Sequence, residues 1–520
     1  MTKRIVSILV LVVFLSGIIA SAQEVDPLKE YPNIGSMQAS AEKGGSITVA
    51  FQTEWAGLDP HMTSSMTSIQ ILNNVIETLT FYNDNGKLVP WLATSWERSE
   101  DGKTWTFHLR EGVKFSNGRE MTAEDVKWTY DRILDPEVGC GYSSNVGPKT
   151  TEVKVVDKYT VSITHPKPYG LLPRSLSFTA ATGIFAKESV NESGKAPKPI
   201  GTGPFKITEV EGTSKLVLEK NEYYWQKGLP HLDKIVVEPV PDNTARMNGL
   251  ISGAYDWVQR VAPQNYEQLK ENSKVEVATT CQFSYDYLGV NTERKPLNDV
   301  RVRKAIAFAL NRKQVCEGAY YGLCEPIQSP VPKCNPWHFD YSPYDRNLEK
   351  AKDLLAEAGY PNGFEVELMP TTHYPFTVKA AQIVQQQLAQ VGIEASINAL
   401  EWSQWLQKEG AGEYDIYICN WNGLLDADQY YYRQHHTDEI FNFTGYSNEK
   451  FDELVEKGRQ ITDFDERYEI YKEANKILVD EAPYIYMYNK MAIRAHGKNL
   501  MGSVVRSDQR CNFWTFWLNK

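Results

Sequence analysis

The side chains with the clearest chemical potential in this chain are closely spaced acidic pairs. Asp426 and Asp428 lie two residues apart, and Glu54 lies shortly before Asp59. Two carboxylates can act as acid and base in glycoside hydrolysis, but 66 acidic residues make such pairs inevitable. Neither a G-x-S-x-G nor an H-E-x-x-H motif occurs in the sequence. The residues therefore favour a protein without catalytic activity, and an exported hydrolase is kept as a remote alternative.

Two further motifs resemble metal or phosphate sites. His435 and His436 are adjacent, but adjacent histidines usually face solvent, so no metal is predicted. Gly201 and Gly203 precede Pro204, which removes a backbone donor, and neither a Lys-Ser/Thr pair nor a third glycine follows. We interpret this segment as a tight turn before two strands. The sequence therefore predicts neither a metal nor a cofactor.

The first 22 residues have the form of a cleavable signal peptide. Lys3 and Arg4 precede an almost wholly apolar stretch, residues 5–20, and small residues form a cleavage site at positions 20–22. A membrane anchor is the alternative, but the stretch is slightly short, since a span needs about 20 apolar residues. No cysteine lies near the cleavage site, so a lipoprotein is not expected. These features predict a protein that is free in a periplasm.

The charge and size of the chain limit its partners and its architecture. The formal charge of −11 at pH 7 becomes −13 when Lys3 and Arg4 leave with the signal peptide. An acidic chain without a basic run binds polyanions poorly, so nucleic acid is excluded as a partner. About 500 mature residues exceed a single core and suggest two or three domains.

Hydrophobic periodicity predicts strands and helices throughout the chain. Residues 46–51 have the β-branched content of a strand, and a helix is predicted at 68–78. Thr122 and Asp125 have the spacing of a capping box. In the second half, Asn298 and Asn347 are predicted helix caps, and strands alternate with helices. This alternation predicts an α/β domain with a largely parallel sheet.

Six blocks of the sequence, in order, resemble the extracytoplasmic solute-binding proteins of ABC importers, family 5, the oligopeptide, dipeptide and nickel group. The most informative block, residues 92–134, reads LATSWERSEDGKTWTFHLREGVKFSNGREMTAEDVKWTYDRIL. One block alone would be weak evidence, but six in order extend across nearly all of the mature chain. The other blocks are 57–61 (GLDPH), 201–205 (GTGPF), 297–305 (LNDVRVRKA), 350–360 and 382–397.

The resemblance implies an α/β fold with two lobes and a hinge, a periplasmic binding protein of the cluster C type with mixed sheets flanked by helices. A monomer of this type captures a solute between domains I and III and delivers it to the ABC permease in the inner membrane. Closure around the ligand creates the form that the permease recognises. The implied division is a signal peptide (1–22), a flexible lead (23–43), domain I (44–80, 200–285 and 500–520), domain II (81–199) and domain III (286–499).

The same resemblance indicates where the ligand lies. A loop after the first strand faces the cleft in this family, a tryptophan near position 402 lies close to the ligand, and the strand at 414–421 carries a pocket tryptophan. The residues that we expect at the ligand are Glu54, Trp55, Trp402, Asn420, Trp421, Asn422, Asp426 and Asp428.

The sequence departs from the peptide-binding members at one informative position. The peptide-binding members of the family that the chain resembles carry a W-x-x-D motif. Its aspartate pairs with the α-ammonium of the peptide, because a buried ammonium needs a carboxylate. Here Trp421 is followed by Asn422, Gly423 and Leu424, and leucine supplies no charge. Asp426 and Asp428 can substitute only if the loop bends differently.

Peptide remains the first expectation for the ligand, on the family's base rate, with an oligosaccharide as the alternative. Aromatic rings stack on sugar faces while amides bind hydroxyls. Opines, other small amino compounds and nickel chelates are less favoured, as is a chemosensory or chaperone role. The residues that would suit a sugar are Trp55, Trp402, Trp405, Trp421 and Tyr430 to Tyr432, with Asn420 and Asn422.

Seven cysteines, an odd number, leave at least one unpaired within a monomer. No C-x-x-C pair occurs, and Cys316, Cys324 and Cys334 are close enough in sequence for one local bridge. Some members of the family that the chain resembles carry a disulfide between the domain crossover and the tryptophan strand. That resemblance implies a bridge between Cys281 and Cys419.

Overall fold

The computed structural model describes residues 41–83, 86–423 and 425–519. The predicted signal peptide and most of the predicted lead lie outside these ranges. Within them, no helix has both the length and the apolar character needed to cross a membrane.

Twenty strands are present in the described part of the chain. They are β1 (Ser46–Phe51), β2 (Thr80–Tyr82), β3 (Leu88–Pro90), β4 (Ala93–Arg98), β5 (Thr104–Leu109), β6 (Glu152–Asp157), β7 (Thr160–Thr164), β8 (Phe205–Glu211), β9 (Lys215–Lys220), β10 (Lys234–Pro239), β11 (Trp257–Val258), β12 (Val275–Cys281), β13 (Ser284–Val290), β14 (Cys324–Pro326), β15 (Phe364–Pro370), β16 (Ile393–Ile397), β17 (Ile416–Asn422), β18 (Tyr484–Gly497), β19 (Leu500–Met501) and β20 (Trp517–Leu518).

The helices lie between these strands. They are α1 (Met66–Leu72), α2 (Ala123–Leu134), α3 (Leu172–Ser175), α4 (Thr179–Thr182), α5 (Asn243–Ser252), α6 (Tyr266–Lys270), α7 (Val300–Ala309), α8 (Arg312–Tyr320), α9 (Leu348–Glu357), α10 (Pro375–Ala389), α11 (Trp402–Gly410), α12 (Tyr432–His435), α13 (Glu449–Gln460) and α14 (Phe464–Glu481), with 3₁₀ turns at Ser143–Asn145, Lys187–Ser189, Pro263–Asn265, Ala427–Gln429 and Phe513–Thr515.

The first lobe is built on one half of a 12-stranded mixed sheet. Strand β1 is parallel to β10 and β11, and β10, β9 and β8 are antiparallel neighbours. Ile47, Val49 and Phe51 of β1 are buried in the core of this lobe. A separate antiparallel sheet, in the order β4-β5-β7-β6, packs Trp105 and Phe107 into the same core. We call residues 93–182, which contain this sheet and helices α2 to α4, the small-sheet module.

The second lobe is built on the other half of the large sheet. Strands β16, β15 and β17 are parallel neighbours, and β17 is antiparallel to β13. Helix α10 connects β15 to β16 and helix α11 connects β16 to β17, which are the crossovers that parallel pairing requires. The sheet is therefore mixed, and the expectation of a largely parallel sheet is correct only for these three strands. Strands β13 and β18 are antiparallel to each other because β13 enters the second lobe from the first, whereas β18 begins after α14 in the second lobe and runs back to the first.

Strand β18 belongs to both lobes. Its first half pairs with β13, and residues 491–497 pair with β12. Strands β12 and β13 are consecutive and are separated only by Gln282 and Phe283. The chain therefore crosses from the first lobe to the second at residues 281–284 and crosses back along β18 beside it. This pair of crossings is the structural element about which the lobes can move. The division into domains I to III stays a prediction in its exact boundaries.

Local sequence signals predicted the positions of most helices and strands, but the ends of some elements differ by one or more residues. The Asn347 side chain caps α9 by accepting a hydrogen bond from the Lys350 N–H at 3.0 Å, as predicted. The cap of α7 is Asp299, one residue after the predicted Asn298. Helix α1 ends at Leu72 and not at residue 78.

The early end of α1 is explained by the Gly201–Phe205 segment. The N–H groups of Gly203 and Phe205 donate to the carbonyls of Val75 and Asn74, respectively, which removes those carbonyls from any helix. An added Cβ at Gly201 would lie 1.9 Å from the Val75 oxygen. The segment bends before β8, and its two glycines permit this close approach of the backbones.

The same segment supplies one hydrogen-bond donor to the buried carboxylate of Glu77. Glu77 accepts hydrogen bonds from the side chains of Thr202 at 2.7 Å, Trp91 at 2.8 Å and Trp225 at 3.0 Å. Burial raises the pKa of Glu77 to about 7, although these hydrogen bonds lower it. The carboxyl group of Glu77 thus joins Trp91, Trp225 and the glycine segment in one polar cluster inside the first-lobe core.

The disulfide pairing differs from the expectation. Cys281 is bonded to Cys334, and Cys316 is bonded to Cys324, which confirms a local bridge. Cys419 is a buried free thiol, so the implied Cys281–Cys419 bridge is wrong in this structure. Cys419 lies in β17, where Tyr287 of β13 is its register partner, and Cys281 is at the end of β12. The Cys281–Cys334 bridge therefore ties the crossing segment to the second lobe.

The pKa of Glu77 predicts how stability depends on pH. Because the folded state holds this proton more tightly than the unfolded chain, its contribution is fully present below about pH 4.5 and is lost as the pH rises through about 7. Urea unfolding of the Glu77→Gln variant between pH 4.5 and 8 should show a smaller decline in the free energy of unfolding than the wild type. The control variant is Glu192→Gln, which changes an exposed glutamate. Equal slopes in all three proteins would contradict the assignment.

Candidate functional site

A cavity of about 290 Å³ lies between the two lobes. The small-sheet module and the C-terminal segment 504–510 form its wall on the first-lobe side, and the turn after β17 forms its wall on the second-lobe side. A concave site to which both lobes contribute is where a solute becomes enclosed when lobes close. Its lining includes Tyr82, Arg174, Phe178, Asp426, Asp428 and Asp508.

Asp426 lies at the second-lobe wall and is held by a buried arginine. Strand β17 ends at Asn422, and the Asp426 side chain caps the following 3₁₀ turn. The Arg467 guanidinium donates to both carboxylate oxygens, at 2.7 and 2.9 Å, and Nε of Arg174 lies 3.5 Å away across the cavity. Burial raises the pKa of Asp426, but these arginines bring it below its usual range. The carboxylate is therefore charged and already paired.

Asp428 forms an ion pair with a different arginine. Its carboxylate lies 3.1 Å from Nε of Arg459, whose guanidinium also stacks over the Tyr432 ring at 3.7 Å. Burial raises the pKa of Asp428, and Arg459 acts against that shift. Asp426 and Asp428 were expected to replace the aspartate that pairs with a peptide ammonium in the relatives. Both line the cavity, and each is already paired with an arginine.

The C-terminal segment brings a third aspartate with arginines on both sides. Asp508 accepts hydrogen bonds from Arg506 at 2.8 and 2.9 Å, and Nε of Arg510 lies 3.6 Å away. Burial raises the pKa of Asp508, but these arginines bring it well below its usual range. Sequence analysis missed this R-x-D-x-R pattern, whose alternating charges are its only local signal.

The other predicted residues of β17 lie at its end, beside the first lobe. Asn422 is exposed, and its Oδ1 accepts hydrogen bonds from Gln282 at 3.2 Å and Gln509 at 3.1 Å. Asn420 and Trp421 are half-buried, and the Trp421 ring contacts Phe441 at 5.6 Å between centroids. Asn422 therefore connects the second lobe to the crossing segment and to the C-terminal segment of the first lobe.

The remaining predicted residues are not brought to this cavity. Glu54 is exposed and accepts a hydrogen bond from Thr213 at 2.7 Å. Trp55 is buried in the first-lobe core. Trp402 is half-buried and stacks on Trp405 with centroids 5.1 Å apart and planes 8° from parallel. Of the eight predicted residues, only Asp426 and Asp428 line the cavity.

Several rings considered for sugar stacking are core residues. Trp405, Tyr430 and Tyr431 are almost fully buried in the second lobe. The Tyr430 ring packs so closely on Gly423 that an added Cβ there would lie 2.2 Å away. Their faces are occupied by other side chains and are not offered to a ligand.

The histidine motif is also structural. His435 is fully buried, and burial lowers its pKa to about 3. His436 is buried as well, with its Nε2 3.4 Å from Glu456. The expectation that these histidines face solvent is therefore wrong, because α12 packs under α13. Within the described ranges, no group of histidine, cysteine or acidic residues has the arrangement of a metal site.

Charged residues at the lobe junction were not identified from the sequence. Lys490 of β18 is buried 3.2 Å from Asp286 of β13, and its Nζ lies 3.9 Å from the Phe376 ring centroid. Burial lowers the pKa of Lys490, and Arg260 of the first lobe is close enough to lower it as well. Among the described residues, Arg260 has no carboxylate within 4 Å. The signal in the sequence is a lysine that follows the apolar and aromatic residues 484–488 in one strand.

The small-sheet module also contacts the second lobe outside the cavity. The Gly170 N–H donates to the Arg459 carbonyl at 2.8 Å, and Arg98 donates to the Gln460 carbonyl at 3.0 Å. Arg174 reaches the Thr462 carbonyl at 3.5 Å. We call these contacts between the module and residues 459–462 the module clamp. It holds the lobes together through backbone carbonyls at the C-terminal end of α13 and just after it.

Gly170 is the position at which the module clamp can be tested. An added Cβ there would lie 2.5 Å from the Ile461 oxygen, so Gly170→Ala separates the two backbones. We expect ligand affinity to fall about three- to tenfold, since one or two hydrogen bonds of roughly 0.5–1.5 kcal/mol are lost. Small-angle scattering should give a larger radius of gyration for the liganded variant than for the liganded wild type.

The matched control for this change is Gly141→Ala, where an added Cβ meets nothing within 4 Å. It should leave both affinity and radius of gyration unchanged. An unchanged radius in Gly170→Ala would show that the clamp does not hold the lobes together.

Comparisons with known proteins agree with this architecture. A family model described as "Bacterial extracellular solute-binding proteins, family 5 Middle" matches residues 87–442. The glutathione-binding protein GsiB of Escherichia coli O1:K1 is 30% identical over 492 residues, which cover 92% of this chain and 95% of GsiB.

Two solved structures have the same fold over nearly the whole chain. DppA from Helicobacter pylori, an ABC transporter-associated periplasmic binding protein in complex with the peptide STSA, is 27% identical with a TM-score of 0.82, covering 94% of this chain and all of DppA. AgaA from A. tumefaciens R10, in complex with agropinic acid, is 27% identical with a TM-score of 0.80, covering 92% and 99%. The chain therefore belongs to the family 5 solute-binding proteins of ABC importers.

Proposed function

We propose that this protein captures a peptide-type solute in a periplasm and delivers it to the permease of an ABC importer. The observation that carries the proposal is the cavity between the lobes, to which both lobes contribute charged residues, with the aromatic residues Tyr82 and Phe178 on the first-lobe side. A site divided in this way is completed only by closure, so occupancy and overall shape are coupled. That coupling is what a permease needs to distinguish loaded from empty protein.

The relatives support a peptide-type ligand. GsiB is named for glutathione, and DppA is bound to a peptide. AgaA, bound to agropinic acid, shows that a protein of this fold also accepts a ligand other than the peptides named in these comparisons. The oligosaccharide alternative loses support, because Trp55, Trp405, Tyr430 and Tyr431 are buried in the lobe cores.

Release without chemical change fits the side chains at the site. The aspartates that line the cavity are paired with arginines, so none is a free acid or base. In the other acidic pair, Asp59 is bound by Arg132 at 2.7 Å and Glu54 accepts a hydrogen bond from Thr213. We propose a monomeric binding protein, exported with a cleaved signal peptide, that makes and breaks no bond.

Closure is proposed to occur about the paired crossings at residues 281–284 and β18. The Cys281–Cys334 bridge makes the crossing segment part of the second lobe, so bending is confined to the backbone around it. Asn422, with its hydrogen bonds to Gln282 and Gln509, lies where the lobes approach each other.

Native mass spectrometry of protein purified from a periplasm tests the ligand class. Binding proteins that close on a solute retain it through purification, so we expect added masses that match short peptides or peptide-like compounds. Thermal shift with mixtures of di-, tri- and tetrapeptides and with hexose oligosaccharides is the second measurement. Stabilisation by oligosaccharides but by no peptide would overturn the peptide assignment, and conversion of any bound solute would overturn the binding role.

A further inference from the structure

The two disulfides of the described chain flank β18 at the point where it crosses between the lobes. Cys281 ends β12 and lies opposite Met491. Cys324 begins β14 and lies opposite Lys490. The peptide unit between residues 490 and 491 accepts a hydrogen bond from the residue after Cys281 and donates one to the residue before Cys324. Because the oxygen and the N–H of a trans peptide unit point in opposite directions, the two cysteines lie on opposite edges of β18.

Each bridge attaches one edge of this crossing to the second lobe. Cys324 is bonded to Cys316 of α8, which is buried in the second-lobe core. Cys281 is bonded to Cys334, which lies in the loop between β14 and α9. The crossing is therefore braced covalently on both edges, and its bending is directed to the side of the first lobe.

The loop that holds Cys334 also supports the second-lobe wall of the cavity. The side-chain amide of Asn335, the next residue, donates to the Leu425 carbonyl at 3.3 Å and lies 3.4 Å from the Tyr430 hydroxyl. Leu425 lines the cavity. The Cys281–Cys334 bridge therefore leads from the crossing segment to the cavity wall through a single intervening residue.

A second contact connects the same loop to a charged residue of the wall. The Trp337 ring is buried, and its centroid lies 4.7 Å from the centre of the Arg467 guanidinium. That guanidinium donates to both oxygens of Asp426, which lines the cavity. The positions of residues 425 and 426 thus depend on this loop, and the bridge fixes the loop relative to the crossing segment.

The two bridges differ in their exposure to solvent. Cys334 is exposed and Cys281 is half-buried. In the other bridge, Cys324 is half-buried and Cys316 is only 3% exposed. The three free cysteines are buried as well. Because an attacking thiolate needs access to a disulfide sulfur, a reductant reaches the Cys281–Cys334 bridge first.

We propose that the Cys281–Cys334 bridge is a redox-sensitive control of lobe closure that is opened by a dithiol. One thiolate of the dithiol attacks Sγ of Cys334, the S–S bond breaks, and Cys281 leaves as a thiolate. The second thiolate of the dithiol attacks the mixed disulfide and releases Cys334. The dithiol gives up two electrons and becomes a disulfide, and its two protons end on Cys281 and Cys334. This inference goes beyond ligand capture, but it rests on the proposed function for the closure that it controls.

Reduction leaves the crossing segment paired with β18. Sγ of Cys281 lies 3.0 Å from Oδ1 of Asn489, whose amide nitrogen donates to the Gln282 and Ser284 carbonyls at 2.6 and 2.5 Å. These hydrogen bonds of the amide nitrogen do not involve the bridge. What is lost is the covalent connection to the loop that positions Leu425, so the crossing segment and the cavity wall move independently. Closure then no longer brings a preformed wall to the solute, and affinity falls.

Thiol labelling and hydrogen exchange test the bridge without any ligand. Native protein treated with dithiothreitol and then with iodoacetamide should carry two labels, at Cys281 and Cys334. In ligand-free protein, hydrogen exchange at residues 425–430 should become about tenfold faster on reduction, since local opening is no longer restrained. The control segment, residues 205–239 of the first lobe, should not change. Unchanged exchange at 425–430, or earlier labelling of Cys316 and Cys324, would overturn the proposal whatever the solute is.

Two matched double variants separate this bridge from a general loss of cross-links. The probe is the mixture of di-, tri- and tetrapeptides, and the readout is the rise in melting temperature that it causes. Reduction of the wild type, or the double change Cys281→Ser and Cys334→Ser, should reduce that rise by about half. The double change Cys316→Ser and Cys324→Ser should leave it unchanged, because that bridge leads into the core.

The outcomes distinguish redox control from solute capture. An equal rise in the oxidised wild type, the reduced wild type and both variants would overturn redox control and leave peptide capture intact. A rise in none of these proteins would overturn peptide capture, and hydrogen exchange at residues 425–430 would then decide alone whether the bridge restrains the cavity wall.

Discussion

The two lobes share one continuous strand, and most of the functional geometry depends on that constraint. β18 gives its first half to the second-lobe sheet and its second half to the first-lobe sheet. Because both halves are held by ladder hydrogen bonds, the lobes cannot slide along each other, and only bending at the crossings is open to them. The cavity, the buried ion pair of Lys490 and the hydrogen bonds of Asn422 all lie beside these crossings. Their geometry therefore changes together when the lobes move.

The arginine–aspartate pairs show how charge is used at this site. Arg467 is fully buried, and removal of its partner would leave an uncompensated charge at a cost of about 3–5 kcal/mol. Asp426 is therefore a structural residue before it is a ligand contact. Asp426 also lies near Arg174, which lines the cavity, and Asp428 pairs with Arg459, whose carbonyl belongs to the module clamp. One network thus connects the shape of the second lobe, the charge of the site and the contact between the lobes.

Sequence reasoning succeeded where the determining contacts are local and failed where they are distant. The cap at Asn347 and the strand at 46–51 depend on neighbours within a few residues, and both were predicted. Asp426 was expected at the ligand, but its partner Arg467 is 41 residues away and no pattern joins them. The pairing of Cys281 with Cys334 was missed for the same reason, because it depends on the path of the chain after β14. Arg260 was missed because its neighbours come from strands far along the sequence.

The module clamp affects how much empty protein is in the closed form. Its hydrogen bonds join Gly170 and Arg98 to carbonyls that lie outside the cavity, so a solute in the cavity does not touch them. The clamp therefore favours the closed form equally for every solute and sets the fraction of empty protein that closes. A clamp that is too strong would present empty, closed protein to the permease as a competitor of the loaded form. Because about 5.5 kcal/mol separates a 1:99 from a 99:1 population, its strength has an upper limit, and a few shared hydrogen bonds of modest net energy meet that limit.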